Sequence, residues 1–158
     1  MSSLNQLGLP QEQTTALVEK LNVLLANYQM YYQNVRALHW NIKGKRFFDL
    51  HVKFEEFYND AQLKVDEVAE RVLTLGGTPL HTYSDYLAHN NLPIAKDVSK
   101  DEDAIQLIIN SLSELLKIER IILNDSGDIN DEGTNGMMSG FIAEQEKTIW
   151  MLNAFLQA

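Results

Sequence analysis

Residues 37–51, ALHWNIKGKRFFDLH, place two of the chain's four histidines on the two sides of a helix break. Before the break, residues 13–40 carry apolar and aromatic side chains at alternating steps of four and three, which predicts one long helix with a single apolar face. His39 continues that apolar series. The glycine in NIKGKR is expected to end the helix, and a second helix is predicted over residues 48–75, with His51 in its first turn. The break therefore separates two helices that each carry one histidine.

The rest of the chain also has the period of helices, with no strand-like alternation. A glycine pair and a proline end the second helix, and residues 76–100 form a long connection in which Ser84 is expected to cap a short helix. The sequence SKDE at 99–102 has capping-box spacing and predicts the start of a third long helix. Residues 124–136, NDSGDINDEGTNG, are expected to break that helix, and a fourth is predicted from about Thr134.

Four long helices joined by short, long and short connections predict an all-α four-helix bundle. Short connections join antiparallel neighbours, whereas a long one can cross the bundle, which is the ferritin-like variant of this architecture. A short extra helix lies in the long connection. The length of 158 residues suits one domain, 1–158, that begins with a short N-terminal tail at 1–12.

The composition narrows the classes of function. Cysteine is absent, which excludes disulfides, thiol catalysis and zinc–thiolate sites. The N-terminus has no secretory pattern, and no apolar run approaches the roughly 20 residues that a membrane span needs, so the cytoplasm is the expected location. The net charge of −9 disfavours phosphate backbones and suits attraction of cations, although solubility alone would account for it.

Side chains suited to metal binding are concentrated on the second helix. Bundle di-iron sites use Glu-x-x-His on two helices, and this sequence has no Glu-x-x-His. The second helix instead carries His51 with Glu55 and Asp66 with Glu70, each pair four residues apart and so projecting from one face. On an ideal helical wheel all four lie on a flank beside the core face. With His39 they form a hard, mostly oxygen ligand set, which suits iron better than structural zinc.

The two pairs on the second helix are too far apart to share a metal ion within one chain. His51 and Asp66 are fifteen residues apart, or roughly 22 Å along a helix. Either the pairs are unrelated, or the far pair of one subunit meets the near pair of another across a two-fold axis. An acidic pair is ordinarily a solvated face, and a histidine in an apolar seam is ordinarily a core residue. The flank position favours the subunit contact.

Three segments together, LHWNIKG, FFDLHVKFEEFY and DEVAER, resemble the Dps family, the DNA-binding proteins from starved cells or mini-ferritins. The resemblance extends over nearly the whole chain. It implies a hollow homododecamer of 23 symmetry with mononuclear or dinuclear iron sites at its two-fold interfaces. One subunit would supply His39, His51 and Glu55, where the family often has aspartate. The partner subunit would supply Asp66 and Glu70, and Trp40 beside the site would pass electrons.

The activity that the resemblance implies is that of a ferroxidase. Fe(II) is oxidised with hydrogen peroxide in preference to dioxygen, and the ferric mineral is stored in the cavity, which protects the cell from oxidative damage. The family's iron-entry pores lie at three-fold axes near the turn into the fourth helix. The corresponding candidates in this sequence are Asp125, Asp128, Asp131 and Glu132. A solvated acidic turn is the alternative interpretation.

Binding to DNA is expected to be weak or absent. Members of the family that compact DNA often use a Lys/Arg-rich tail, because phosphate binding needs exposed bases. The tails of this chain lack one, and Lys43, Lys45 and Arg46 form its only tight basic cluster. A nucleoid-compacting protein is the alternative function, and a helical assembly without metal is a third. His81 and His89 are expected to have no metal role, although accessory ligands or interface residues remain the alternative.

Overall fold

The computed structural model describes residues 3–157, which form five helices and one isolated β-bridge, between Leu4 and Pro10. The helices are α1 (Gln11–Asn41), α2 (Phe47–Thr74), α3 (Tyr83–His89), α4 (Asp101–Asp128) and α5 (Glu132–Leu156). The prediction of four long helices with a short one in the long connection is confirmed. None of the helices within 3–157 is long and apolar enough to cross a membrane.

The four long helices enclose one apolar core. Helix α1 packs against α2 and α4, α5 packs on α4, and α3 rests on α1. The seam predicted for α1 is buried at Leu21, Leu25, Tyr28 and Val35, whereas Tyr32 is only half-buried. Each fully buried leucine or valine contributes about 1.5–3 kcal/mol relative to an exposed one, so this seam accounts for the strong helical period of the sequence.

Two helices begin at caps other than those predicted. Helix α3 is capped by Thr82 rather than Ser84, because the Thr82 hydroxyl accepts the backbone N–H of Asp85 at 3.2 Å. Helix α4 begins after Lys100, with no side-chain cap. Ser99 instead serves the α1–α2 connection, where its carbonyl accepts the backbone N–H of Lys43 at 2.9 Å.

The break between α4 and α5 is much shorter than predicted. Only residues 129–131 lie between the two helices, whereas the sequence predicted a break from residue 124 and a fourth helix from about Thr134. Two side chains explain the shorter turn. The Asp131 carboxylate caps α5 by accepting the backbone N–H of Thr134 at 3.0 Å, and the Asn135 amide donates to the Leu123 carbonyl at 2.9 Å. These contacts offset the low helix propensity of the Asn, Asp and Gly residues in this segment.

The described part of the predicted N-terminal tail folds back on itself. The Asn5 side-chain oxygen accepts the backbone N–H groups of Leu7 and Leu9 at 2.9 and 3.0 Å. The Ser3 carbonyl accepts the N–H of Gln11 at 2.9 Å. Helix α1 then begins at Gln11, two residues before the predicted start.

Candidate metal centre

The turn between α1 and α2 brings His39 and His51 together as a stacked pair. Their ring centroids are 3.8 Å apart and the rings are 12° from parallel. Each ring nitrogen Nδ1 lies within hydrogen-bonding distance of the other residue's backbone carbonyl, 2.6 Å for His39 and 2.8 Å for His51. A carbonyl can only accept, so each Nδ1 carries a hydrogen. In the neutral tautomer this leaves both Nε2 atoms with free lone pairs, as metal ligation requires.

Aromatic neighbours fix the orientation of both imidazole rings. Phe47 stacks on His51 with centroids 4.9 Å apart, and Tyr58 meets His39 edge-on at 5.3 Å. His39 is buried and His51 half-buried. Because rotation of either ring would break its carbonyl hydrogen bond and its stacking contact, the two Nε2 atoms are held in place before any metal arrives. Sequence reasoning missed Phe47 and Tyr58, although both lie within a few residues of the histidines or of Glu55.

Glu55 stands one turn after His51 on α2 and is exposed. The Tyr58 hydroxyl is 3.5 Å from Glu55 Oε1, a long contact that can restrain the carboxylate only weakly. Desolvation, followed by the charge of Glu55, raises the pKa of Tyr58 above its ordinary value. The hydroxyl therefore remains a donor at neutral pH.

Asp66 and Glu70 lie near the other end of α2, and both are exposed. Neither carboxylate forms an ion pair with another residue in 3–157. Helix α2 is continuous from Phe47 to Thr74, so along its axis it keeps Asp66 roughly 22 Å and Glu70 roughly 28 Å from His51. Among the described residues, no group of three or more His, Cys, Asp or Glu side chains is close enough to hold a metal ion. One chain therefore keeps the two groups of candidate ligands apart.

An exposed apolar flank runs along α2 beside these ligands. Phe48 is 81% exposed and Leu63 is 65% exposed, and Val52 and Leu73 are also more than half exposed. On an ideal helical wheel these four residues, Glu55, Asp66 and Glu70 fall within about 80° of one another. Large apolar side chains left in water beside unpaired carboxylates are typical of a protein interface. This exposed flank could have been identified from the sequence, because its apolar residues lie outside the face of α2 that packs into the core.

Trp40 lies on α1 next to His39 and is 56% exposed. The Arg36 guanidinium stacks over the Trp40 ring at 4.8 Å and over the Tyr32 ring at 5.1 Å. Tyr32 in turn meets Tyr58 edge-on, with centroids 6.1 Å apart. Arg36 and Tyr32 therefore connect Trp40 to Tyr58, which contacts His39.

The four residues expected near an entry pore differ in their surroundings. Asp128 and Glu132 are exposed, and Asp125 forms an ion pair with Lys20. Asp131 is only 2% exposed, and it pairs with the Arg71 guanidinium at 2.6 Å while capping α5. Its carboxylate is fully occupied inside the subunit, which corrects its assignment as a pore residue.

The remaining histidines lie in the long connection between α2 and α4, and the basic cluster lies in the turn between α1 and α2. His81 and His89 are exposed, and each ring bonds only a nearby backbone carbonyl, at 2.9 Å in both cases. Lys43 and Lys45 are exposed. Arg46 pairs with Asp101 at 2.6 Å and stacks over an aromatic ring of α5. That pairing leaves the cluster with less free charge than the sequence suggested.

Comparison with known proteins gives a consistent result over almost the full length. Residues 18–158 match the family model described as a ferritin-like domain. The DNA protection during starvation protein of Porphyromonas gingivalis is 39% identical over 148 residues, which cover 94% of this chain and 93% of that protein. A protein of Haemophilus influenzae is 47% identical over 155 residues, covering 98% of this chain and 97% of its own length.

Solved structures agree with these sequence matches. The crystal structure of the DPS protein from Vibrio cholerae O1 aligns with a TM-score of 0.95 at 48% identity, covering 99% of this chain and 98% of that one. That protein is described as a member of a broad superfamily of ferritin-like diiron-carboxylate proteins. A Dps protein from Bacillus brevis aligns with a TM-score of 0.89 at 32% identity, covering 92% and 98% of the two chains.

Proposed function

We propose, from the premise that this chain belongs to the Dps family of ferritin-like proteins, that it oxidises Fe(II), preferably with hydrogen peroxide. The ferric product is stored inside a cage of twelve copies in the cytoplasm. The observation that carries the proposal is the position of the candidate ligands at the two opposite ends of α2. The oriented pair His39 and His51 lies at one end, and the unpaired carboxylates of Asp66 and Glu70 lie at the other.

The spacing along α2 fits an antiparallel contact between two copies. His51 precedes the point between Asp60 and Ala61 by as many residues as Glu70 follows it. The same point lies midway between Glu55 and Asp66, and also midway between Phe48 and Leu73. A two-fold axis through it sets His51 against the partner subunit's Glu70, and Phe48 against the partner subunit's Leu73. The same antiparallel pairing of α2 helices would then bury the apolar residues and bring the ligands together. Each pair of chains would hold two equivalent sites.

The ligands have distinct tasks in this arrangement. The Nε2 atoms of His39 and His51 bind Fe(II) as neutral donors, whose partner nitrogens are fixed by carbonyls. Glu55 and the partner subunit's Asp66 and Glu70 add hard anionic oxygens, which favour the more highly charged ferric ion. Trp40 is positioned to pass an electron. The site is mononuclear or dinuclear.

The reaction balances with two iron ions for each peroxide. Each Fe(II) gives one electron, the O–O bond breaks, and two protons complete two water molecules, so no hydroxyl radical is released. The net charge of −9 on each chain supplies an attractive field for cations across the shell. Asp128, Glu132 and Asp125 remain the candidates for the entry pore at the α4–α5 turn.

Titration of the Fe(II)-loaded protein with hydrogen peroxide under anaerobic conditions tests this function. We expect ferric absorbance to saturate at one peroxide for every two iron ions, with no hydroxyl-radical adduct of a spin trap. The same iron in buffer without protein is the control, and it should give the adduct. Saturation at one peroxide per iron, together with a spin adduct, would show that the protein does not direct the two-electron reaction.

We expect little or no binding to DNA at physiological salt. Residues 1–19 hold no Lys or Arg, and Arg46 is already paired with Asp101. Phosphate binding depends on several exposed bases and weakens steeply with salt. A gel-shift assay with plasmid at about 150 mM salt measures this. Retention of the plasmid in the well by the assembled protein would favour the nucleoid-compacting function instead.

A further inference from the structure

Three buried polar side chains join three helices in the centre of the bundle. They are Tyr28 on α1, Glu119 on α4 and Gln145 on α5, and each is 5% exposed or less. The Tyr28 hydroxyl donates to Glu119 Oε2 at 2.8 Å. The Gln145 amide nitrogen lies 3.3 Å from the same oxygen and also donates to the Tyr28 oxygen. None of these residues belongs to the candidate metal centre.

When Glu119 is ionised, two oxygen atoms of this cluster have no hydrogen-bond donor. Glu119 Oε1 and Gln145 Oε1 are both buried, and neither has a hydrogen-bond partner among the described residues. Both atoms are acceptors when Glu119 is ionised, and leaving two buried acceptors unpaired destabilises the fold. One proton on Glu119 Oε1, donated to Gln145 Oε1, satisfies both atoms.

The charged groups around Glu119 do not replace that proton. Helix α2 contributes Lys64, whose ammonium group already bonds Asp60 at 2.6 Å and Glu144 at 2.8 Å. Helix α4 contributes Arg120, which pairs with Glu146 on α5 at 3.0 Å. Helix α1 offers only the uncharged hydroxyl of Tyr28, and α5 offers the neutral amide. Both nearby cations are thus bound to other carboxylates.

Burial decides the protonation state. Desolvation raises the pKa of Glu119 from 4.5 to about 8, although the hydrogen bonds from Tyr28 and Gln145 and the charges of Lys64 and Arg120 lower it. Burial, followed by the negative charge of Glu119, also raises the pKa of Tyr28 well above its ordinary value. The Tyr28 hydroxyl therefore remains a donor over the whole range in which Glu119 titrates.

A cleft of about 290 Å³ reaches the cluster between the helices. Tyr28 and Gln145 line it, together with Lys64, Glu144 and Lys147. The partners of Glu119, rather than Glu119 itself, therefore face this cleft.

We propose that Glu119 holds a proton at neutral pH and in that form latches α1, α4 and α5 together, and that loss of this proton at alkaline pH releases the latch. Between the unfolded-state pKa of 4.5 and the folded-state pKa of about 8, the folded chain binds a proton that the unfolded chain does not. Unfolding then releases a proton, so the stabilisation is complete below the lower pKa and is lost as the pH rises through the upper one.

The variant Glu119→Gln tests the latch, because its amide can donate to Gln145 Oε1 at any pH while keeping the shape of the side chain. We expect the melting temperature of the wild-type protein to fall between about pH 6 and about pH 9, and Glu119→Gln to lose at least half of that fall. Glu114 is a half-buried acid of the same helix that pairs with Lys117, and Glu114→Gln is the matched control that should behave as wild type. Equal pH dependence in all three proteins would overturn the proposal.

Infrared spectroscopy of the wild-type protein with labelled glutamate provides a direct second measurement, and it decides the matter if Glu119→Gln does not fold. We expect a carbonyl stretch of a protonated carboxylic acid at pH 7 that disappears above about pH 9, where the folded-state pKa has been passed. Absence of that band at pH 7 would show that Glu119 is ionised and that no latch exists.

Discussion

Replacing Glu70 with glutamine is expected to lower the initial rate of Fe(II) oxidation by at least about 100-fold, because loss of a direct ligand should cost no less than loss of its supporting partners. The change keeps the size of the side chain and removes its charge. Glu70 is exposed, and its side chain makes no ion pair within 3–157, so the fold of the subunit has no need of it. His51→Ala is expected to lose activity by a similar factor, because it removes an Nε2 donor.

The matched control for this experiment is Glu67→Gln. Glu67 is also an exposed acid of α2, but on an ideal wheel it lies about 40° outside the arc that holds Glu70. Its rate should stay within about twofold of wild type, as expected for a surface change. Stopped-flow ferric absorbance measures the rates, and light scattering confirms an intact assembly. If Glu70→Gln oxidised iron as fast as Glu67→Gln, Glu70 would not be a ligand.

The His51 variant requires a more careful interpretation than the Glu70 variant. The His51 ring stacks on both His39 and Phe47, and its Nδ1 bonds the His39 carbonyl. Removing the ring therefore loosens the turn between α1 and α2 as well as deleting a ligand. Partial loss of stability in His51→Ala is expected, whereas Glu70→Gln should leave stability unchanged. If His51→Ala and Glu70→Gln slow Fe(II) oxidation by a similar factor, the loss is explained by the missing ligands rather than by the loosened turn.

The helices were predictable because the apolar period dominates this sequence. Residues such as Leu21, Leu25 and Val35 are buried with almost no exposure, and their spacing leaves little choice of secondary structure. Helix caps were less predictable. Thr82 and Ser84 are both suitable caps, and their hydroxyls lie 3.2 Å apart. The choice between them depends on the approach of the chain from the long connection.

The α4–α5 turn shows where tertiary contacts override local propensity. Its sequence is rich in Asn, Asp and Gly, which indicated a long break. The ion pair of Asp131 with Arg71 on α2 accompanies a start of α5 two residues earlier than predicted. This contact could not be predicted from the sequence, because Arg71 lies 60 residues away from Asp131 along the chain. The same contact removed Asp131 from the solvent-exposed acids.

The candidate ligands could be chosen from the sequence, whereas the contacts that orient them could not. Residue type and spacing predict His39, His51, Asp66 and Glu70, but the mutual carbonyl bonds of the histidines depend on the three-dimensional turn. Position 119 falls on the core period of α4 between Leu115 and Ile122, so its burial could have been read from the sequence. A buried glutamate contradicts ordinary residue preferences, and only the partners on α1 and α5 make it acceptable.

The central claim is that each site draws ligands from two chains, and a mixed assembly tests it most directly. A His51→Ala chain and a Glu70→Gln chain are each expected to be inactive alone. When they are co-expressed in equal amounts with different tags, half of the two-fold pairs should contain one chain of each kind. Such a pair has one site with both ligands intact and one site with both defects.

The mixed cages are recovered by purification on both tags in sequence, and their initial rate of Fe(II) oxidation is compared with the wild-type rate per chain. The intersubunit site predicts about a quarter of the wild-type rate, because random two-fold pairing leaves about a quarter of the sites intact. A site built within one chain has no intact copy in any mixture. A rate no higher than that of the two separate variants would therefore contradict the account.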